Sequence, residues 1–234
     1  MKVTLTRVTE NPIEAIEEAA SNCYDSEPTT DGRIMKACYK SGHHSVLEFA
    51  DFTFHIEGVS RALLAQLTRH RVASFAVQSQ RYVVKNGFDF VTPPSIKENE
   101  NALDAYLRFM DQCDMLYGQL TRMGIPAEDA RFILPNACDT VIEVSMNCRE
   151  LIHFMNERLC TRAQWEIREL ALAMKKCVSE HDEQCKELSK FFVPKCCAHA
   201  PMNFCTEHKS CGIAPKFKDV YQAYLDKKAG DSNE

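Results

Sequence analysis

Two runs of alternating apolar residues each lead into a cappable helix start, and these joints constrain the fold more than any other feature. Phe52-Thr53-Phe54-His55-Ile56 reads as a half-buried strand of period two, and Ser60 is suited to cap a helix over residues 61–70. Val141-Ile142-Glu143-Val144-Ser145-Met146 is strand-like, and Asn147 is suited to cap a helix over 148–158. A first strand is predicted over 3–8. Helices are predicted over 12–22, opened by Pro12, and over 31–39, stopped by Gly42. One long helix over 96–123 is expected to stop at Gly124, with Pro126 opening another; further helices are expected over 161–188 and 216–227. Residues 75–84 read as loop or short strand. There is no internal repeat and no low-complexity segment. Strands recur between long helices without a βαβ rhythm. The predicted class is therefore α+β: a central, mostly antiparallel sheet flanked by long helices, in a single domain.

Charge narrows the function. The net charge of −5 argues against a general nucleic-acid coat, and no apolar run approaches a membrane span. No signal-peptide core is seen at the N-terminus, so the twelve cysteines are expected to stay reduced in a cytoplasmic setting. Lysine is absent from 41–84 and from 98–174, yet arginine recurs in both stretches. Arginine without lysine suits forks aimed at phosphates or carboxylates. Internal pairing with Glu48, Asp51, Glu57, Glu143, Glu150 and Glu157 explains it equally well.

One motif carries more. Arg69-His70-Arg71 is followed after seven residues by Ser79, Gln80, Arg81 and Tyr82. Upstream stands Gly42-His43-His44-Ser45-Val46-Leu47-Glu48. Downstream stand Ala130-Arg131-Phe132-Ile133-Leu134-Pro135 and Asn147-Cys148-Arg149-Glu150-Leu151, then Arg158 and Ala163-Gln164-Trp165-Glu166-Ile167. In this order and over roughly four-fifths of the chain, the sequence resembles the flavin-dependent thymidylate synthases.

The resemblance implies FAD-dependent methylation of dUMP to dTMP, with 5,10-methylenetetrahydrofolate as one-carbon donor and NADPH as reductant. It also implies a homotetramer with shared active sites, and neither a nucleic-acid nor a membrane partner. Carried over by position, Gln66 and Arg69 line the dUMP and flavin region. Arg69, His70, Arg71, Ser45, Asn147, Arg149 and His153 contact FAD. Ser79, Gln80, Arg81 and Arg131 hold the dUMP phosphate. Arg158 is the catalytic residue: it faces the uracil and favours ionisation at N3, so that C5 accepts the folate methylene without a cysteine nucleophile. Four anionic ligands near one flavin call for several convergent arginines, which is chemistry the lysine-free segments can supply. Arg149 and His153, four apart, share a helix face.

Other residues read more plainly. Taken alone, His70 and His153 are satisfied structural histidines. Arg61, Arg108, Arg122, Arg162 and Arg168 are salt-bridged helix or surface residues, Trp165 is a core anchor, and Ser79 has no Ser-His-Asp context. Ala76 and Val77 stand where many relatives carry a polar residue, so only a backbone contact survives there. Residues 1–190 are expected to form the core and 191–234 a cysteine-rich tail packed on it or extending it. Cys185, Cys196, Cys197, Cys205, Cys211, His199 and His208 crowd toward that tail. Without a Cys-x-x-Cys pair they are expected as reduced structural thiols, and no metal ligands are assigned. A nucleotide phosphohydrolase lacks its carboxylate cluster here, and an RNA-binding module lacks its basic face.

Overall fold

The computed structural model describes residues 1–83, 87–198 and 202–231; His199 lies outside them. In chain order the elements are β1 (Lys2–Val8), α1 (Pro12–Tyr24), α2 (Arg33–Lys40), a 3-10 helix (His44–Phe49), β2 (Asp51–Ser60), α3 (Arg61–Leu67) and β3 (Ala73–Val77). Then come α4 (Pro94–Lys97), α5 (Glu100–Arg122), α6 (Ala127–Ala130), a 3-10 turn (Arg131–Ile133) and β4 (Asp139–Asn147). The chain continues as α7 (Cys148–Arg158), α8 (Trp165–Ser179), α9 (Glu183–Ser189), a 3-10 turn (Lys195–Cys197) and α10 (Phe217–Asp231). The α+β expectation holds: four strands form one open sheet in the order β1-β2-β4-β3.

Both capped joints form as expected. Ser60 accepts a hydrogen bond from the Leu63 N–H, and Asn147 accepts one from the Glu150 N–H at 2.9 Å. The glycine stops hold too. Gly42 takes φ 78° and Gly124 φ 83°. After them His43 N–H donates to the Cys38 carbonyl at 2.9 Å and Ile125 N–H to the Leu120 carbonyl at 3.1 Å, the long bond of a Schellman end. Two long helices predicted as single are each broken. Asn99 caps a restart at α5 by accepting from Ala102 N–H, and Asp182 caps α9 by accepting from Cys185 N–H at 2.7 Å. Gln164 likewise delays α8 to Trp165, accepting from Glu166 and Ile167 N–H. Apolar periodicity runs across such caps without registering them, because a cap changes the backbone and not the hydrophobic spacing. The 75–84 ambiguity resolves into β3 followed by turns, and β3 begins two residues earlier.

Contacts divide the chain into two compact units. The first holds Met1–Arg7 and Thr53–Met146, hence most of the sheet. Along β4, Ile142, Val144 and Met146 are buried while Val141, Glu143 and Ser145 are half-exposed. β3 pairs with β4 antiparallel, Phe75 opposite Val144 and Ala76 opposite Glu143. The half-exposed face is cross-linked by polar groups. The Thr53 hydroxyl donates to the Ser145 hydroxyl at 3.1 Å, Thr6 donates to Glu143 at 3.0 Å, and His55 Nδ1 meets the other Glu143 oxygen at 2.9 Å. α5 is held by a satellite core of Phe88, Met110, Cys113 and Cys138, with the Tyr106 hydroxyl donating to the Val91 carbonyl at 2.8 Å.

The second unit, Val8–Phe52 and Asn147–Glu234, is helical with a deep core that includes Ile16, Phe154, Ile167, Met174, Leu188 and Phe192. α2 has no side-chain cap of its own, because Gly32 stands at its N-cap. Fully buried Glu17 on α1 replaces it, accepting from the Ile34 and Met35 N–H groups at 3.0 and 3.3 Å and from the Thr29 hydroxyl. Three donors lose their acceptor if that carboxylate is removed. Glu17→Ala is expected to lower stability by about 2–3 kcal/mol, read as a shift in the urea midpoint at unchanged slope.

The core thiols are chemically quiet. Burial, and then Cys185 nearby, pushes the Cys148 thiol up to about 12; burial and then Asp182 push Cys185 to about 12. At pH 8 both are protonated, and only the thiolate is alkylated. Iodoacetamide on the native protein should leave both unmodified while it labels exposed Cys23; their early labelling would contradict the packing.

Candidate active site

In the first unit the sequence-predicted residues form a loop system around α3, β3 and α6. α3 ends at Leu67, three residues short of expectation, and a last tight turn carries Arg69 N–H to the Gln66 carbonyl and His70 N–H to that of Leu67. This turn buries His70 to 5% exposure and leaves Arg69 and Arg71 on the surface. Neither arginine has an ion-pair partner among the described residues. Gln66 is half-buried, its amide near the Ala62 carbonyl at 3.5 Å.

Past β3, the Ser79 hydroxyl accepts the Arg81 N–H at 3.1 Å, which fixes the turn. The Arg81 guanidinium donates from Nε and Nη2 to one oxygen of Glu128, at 3.0 and 2.7 Å. Arg131 Nε donates to the backbone carbonyl of that same Glu128 at 3.1 Å. Arg81 and Arg131 thereby meet at one residue, whose carboxylate engages the Arg81 fork as a phosphate does. Gln80 lies half-buried beside Cys138, its amide 3.7 Å from the sulfur.

Arg61 was expected as a salt-bridged helix or surface residue; it is a helix residue, but its hydrogen-bond partner is a carbonyl and not a carboxylate. It is half-buried at the first position of α3 and donates Nη2 to the Gln78 carbonyl at 2.7 Å. Its buried Nε has no hydrogen-bond partner. Burial, and among charges Arg131 nearby, lowers its pKa. A cation at a helix N-terminus opposes the helix dipole, a sequence signal that sets Arg61 apart from an ordinary surface arginine. Arg108 and Arg162 do pair with carboxylates, Asp104 at 2.8 Å and Glu207 at 3.9 Å.

In the second unit, the 3-10 helix and the start of α7 present one exposed surface. Cys148 N–H donates to the Ala50 carbonyl at 2.7 Å, so α7 starts against the end of the 3-10 helix. Ser45 and Glu48, three apart, share a face of that helix. Arg149 Nη1 meets Glu48 at 2.6 Å, with His153 one turn on; Ser45, Arg149 and His153 are all exposed. The Asn147 Oδ1 is committed to its cap. Internal pairing thus describes Arg149 and Arg81 in this structure, while Arg69 and Arg71 fit the anion-fork reading.

Arg158 sits at the last position of α7, half-buried, on the wall of a cavity shared with residues 194–196 and with residues of the 205–213 loop. Burial lowers its pKa and Glu157 partly restores it. Trp165, expected as a core anchor, is half-buried at the first position of α8.

No helix among the described residues is long and apolar enough to cross a membrane. The family model of the thymidylate synthase complementing protein matches residues 4–182. A flavin-dependent thymidylate synthase of Geobacter sulfurreducens is 46% identical over 186 residues, covering 74% of this chain and 80% of that protein. One from Clostridium tetani is 35% identical over 251 residues, covering 94% and 97%. Among solved structures, a flavin-dependent thymidylate synthase from Helicobacter pylori, complexed with FAD and dUMP, shares the fold at a TM-score of 0.65. It is 24% identical, covering 82% of this chain and 100% of that one. The chain belongs to the family of flavin-dependent thymidylate synthases, which are enzymes of the methyltransferase type.

Proposed function

We propose that this chain methylates dUMP to dTMP, with 5,10-methylenetetrahydrofolate as one-carbon donor and NADPH as reductant. The observation that carries the reading is the arrangement about Glu128: its carboxylate takes the Arg81 fork, its backbone carbonyl accepts from Arg131, and Ser79 fixes the turn that carries Arg81. A nucleotide phosphate takes over the Arg81 fork from that carboxylate. The pair is about half-exposed, so it contributes little to stability and exchanges partners readily. Gln80 completes the phosphate loop, and half-buried Arg61 adds a cation beside it.

The donor set fits FAD. Arg69 and Arg71 offer forks for its pyrophosphate, with buried His70 fixing the turn between them. Ser45, Asn147, Arg149 and His153 present a second polar surface, on which Arg149 keeps N–H groups beyond the one given to Glu48. Bound FAD, once reduced by NADPH, would supply the hydride that completes the methyl group. Arg158 stabilises negative charge on the uracil as C5 becomes nucleophilic, and its partial burial strengthens that interaction over one in water. No cysteine attacks. Such a site belongs to a cytoplasmic homotetramer with residues drawn from several subunits. The 1–190 core does the chemistry, and the 191–234 tail extends it.

Anaerobic mixing of the flavin-loaded protein with NADPH tests the reading. Bleaching of the flavin, followed by reoxidation on adding dUMP and methylenetetrahydrofolate together, is the expected course. Reoxidation that ignores either substrate would overturn it.

A further inference from the structure

The folate co-substrate needs a binding surface of its own, and its chemistry restricts where that surface lies. The methylene it donates must touch C5 of the uracil that Arg158 activates, so its glutamate end has to leave from the neighbourhood of Arg158. A cavity of about 240 Å³ opens beside that arginine. Its walls are the end of α7, the turn leading to α8, residues 194–196 and the 205–213 loop, all within the second unit. Pockets that enclose a whole ligand run to roughly 300–1,000 Å³, so this one suits the end of a longer molecule.

The lining is cationic. Setting Arg158 aside, Arg162, Lys195 and Lys209 face two carboxylates, Glu157 and Glu207, inside a chain whose net charge is −5. A cleft walled by protein and biased to one sign concentrates ions of the other. The internal pairings are loose. Arg162 Nε stands 3.9 Å from Glu207, and Lys195 Nζ 3.9 Å from Glu157, beyond hydrogen-bond range and between well-exposed side chains. Pairs of this kind contribute little and change partner readily. Lys209 is exposed and makes no ion pair among the described residues.

The wall that carries Lys209 can adapt. The loop is pinned at its base, where Cys205 N–H donates to the Pro215 carbonyl at 2.7 Å. From residue 193 to 228, Cys205 and Ala214 are the buried residues among those described. Little packing therefore resists a small closure, and lysine reaches on a flexible stem.

We propose that this cavity holds the glutamate carboxylates of methylenetetrahydrofolate, with Arg162, Lys195 and Lys209 as their cations. The identity of the ligand rests on the reaction proposed above; the preference for an anion rests on the cavity alone. A phosphate shares the charge, but NADPH has to face the flavin and the dUMP phosphate has its own loop at Arg81. A terminal glutamate brings two carboxylates, and each further γ-linked glutamate adds one, which suits cations drawn from both the α7–α8 turn and the tail.

Lys195→Ala and Lys209→Ala remove exposed side chains, so the single and combined variants should fold. In the flavin-loaded full chain, the combined variant is expected to raise the KM for methylenetetrahydrofolate roughly 3- to 10-fold, the scale of two solvated charge pairs. The KM for dUMP and the bleaching of the flavin by NADPH should stay as in wild type. Lys227→Ala, at an exposed lysine of α10, should alter none of the three. Triglutamylated folate should bind wild type more tightly than the monoglutamate, and the combined variant should lose that preference. An unchanged KM for the folate would overturn the site, and a raised KM for NADPH in its place would overturn it in favour of a phosphate. p-Aminobenzoyl-triglutamate has no pterin and cannot react, so its binding is read apart from catalysis. Equilibrium dialysis should show it bound equally by wild type and Lys227→Ala, and more weakly by the combined variant and in added salt. That pattern without thymidylate formation would keep the anion site and sink the reaction. Equal binding by all three proteins would overturn the site and leave the reaction untouched.

Discussion

Arg158→Ala is expected to keep bound FAD and to lose thymidylate formation by a factor of about 10²–10³, the usual effect of deleting one electrostatic stabiliser of a developing anion. The proposed role places the guanidinium against a uracil that gains negative charge only as the reaction proceeds, so kcat should fall more than KM rises. Arg158 is half-buried at the end of α7. Arg158→Lys should recover only part of the loss, because an ammonium keeps the charge and not the planar fork. Product formation under saturating substrates, beside the flavin absorbance of the same sample, checks both variants. Turnover like wild type in Arg158→Ala would sink the assignment.

The second large effect is on nucleotide binding. Arg81→Ala is expected to raise the KM for dUMP by roughly 10- to 100-fold, the cost of losing a charge-assisted bond of about 1.5–3 kcal/mol. kcat should change little, since the phosphate is remote from C5 and is held equally in ground and transition states. Glu128→Gln is expected to move the other way or not at all. Glu128 occupies the Arg81 fork at 2.7 Å, and its negative charge opposes the phosphate that replaces it. Deoxyuridine, which lacks the phosphate, supplies the control: its slow turnover should not distinguish wild type from Arg81→Ala. A KM for dUMP unchanged in Arg81→Ala would remove this arginine from the phosphate site.

Much of the fold was legible because its signals are local. Ser60 and Asn147 announce helix starts through their own side chains, and Gly42 and Gly124 announce stops through a backbone that glycine adopts easily. What failed was also local but masked. Asn99, Gln164 and Asp182 sit within apolar periodicities that continue past them, and each cap shows only in the backbone it turns. Long-range substitutions were out of reach: nothing near Gly32 says that Glu17 on another helix caps α2.

The candidate site divides the same way. The Arg-His-Arg motif and Ser79-Gln80-Arg81 were readable as chemistry, and the structure adds Glu128, which engages both Arg81 and Arg131. Arg61 was missed because charge counting assigns an isolated arginine to the surface, whereas its half-burial depends on Gln78 and on residues near 138. Ala76 and Val77 lie in β3, at the end of the strand order, paired with Glu143 and Ile142 of β4.

Tritium release from dUMP labelled at C5 tests the central claim most directly, since replacing that hydrogen is the defining event of the proposed reaction. Release that requires both NADPH and methylenetetrahydrofolate, and that falls with Arg158→Ala, is the predicted result. A folded, flavin-loaded chain that releases no tritium with all substrates present would contradict it.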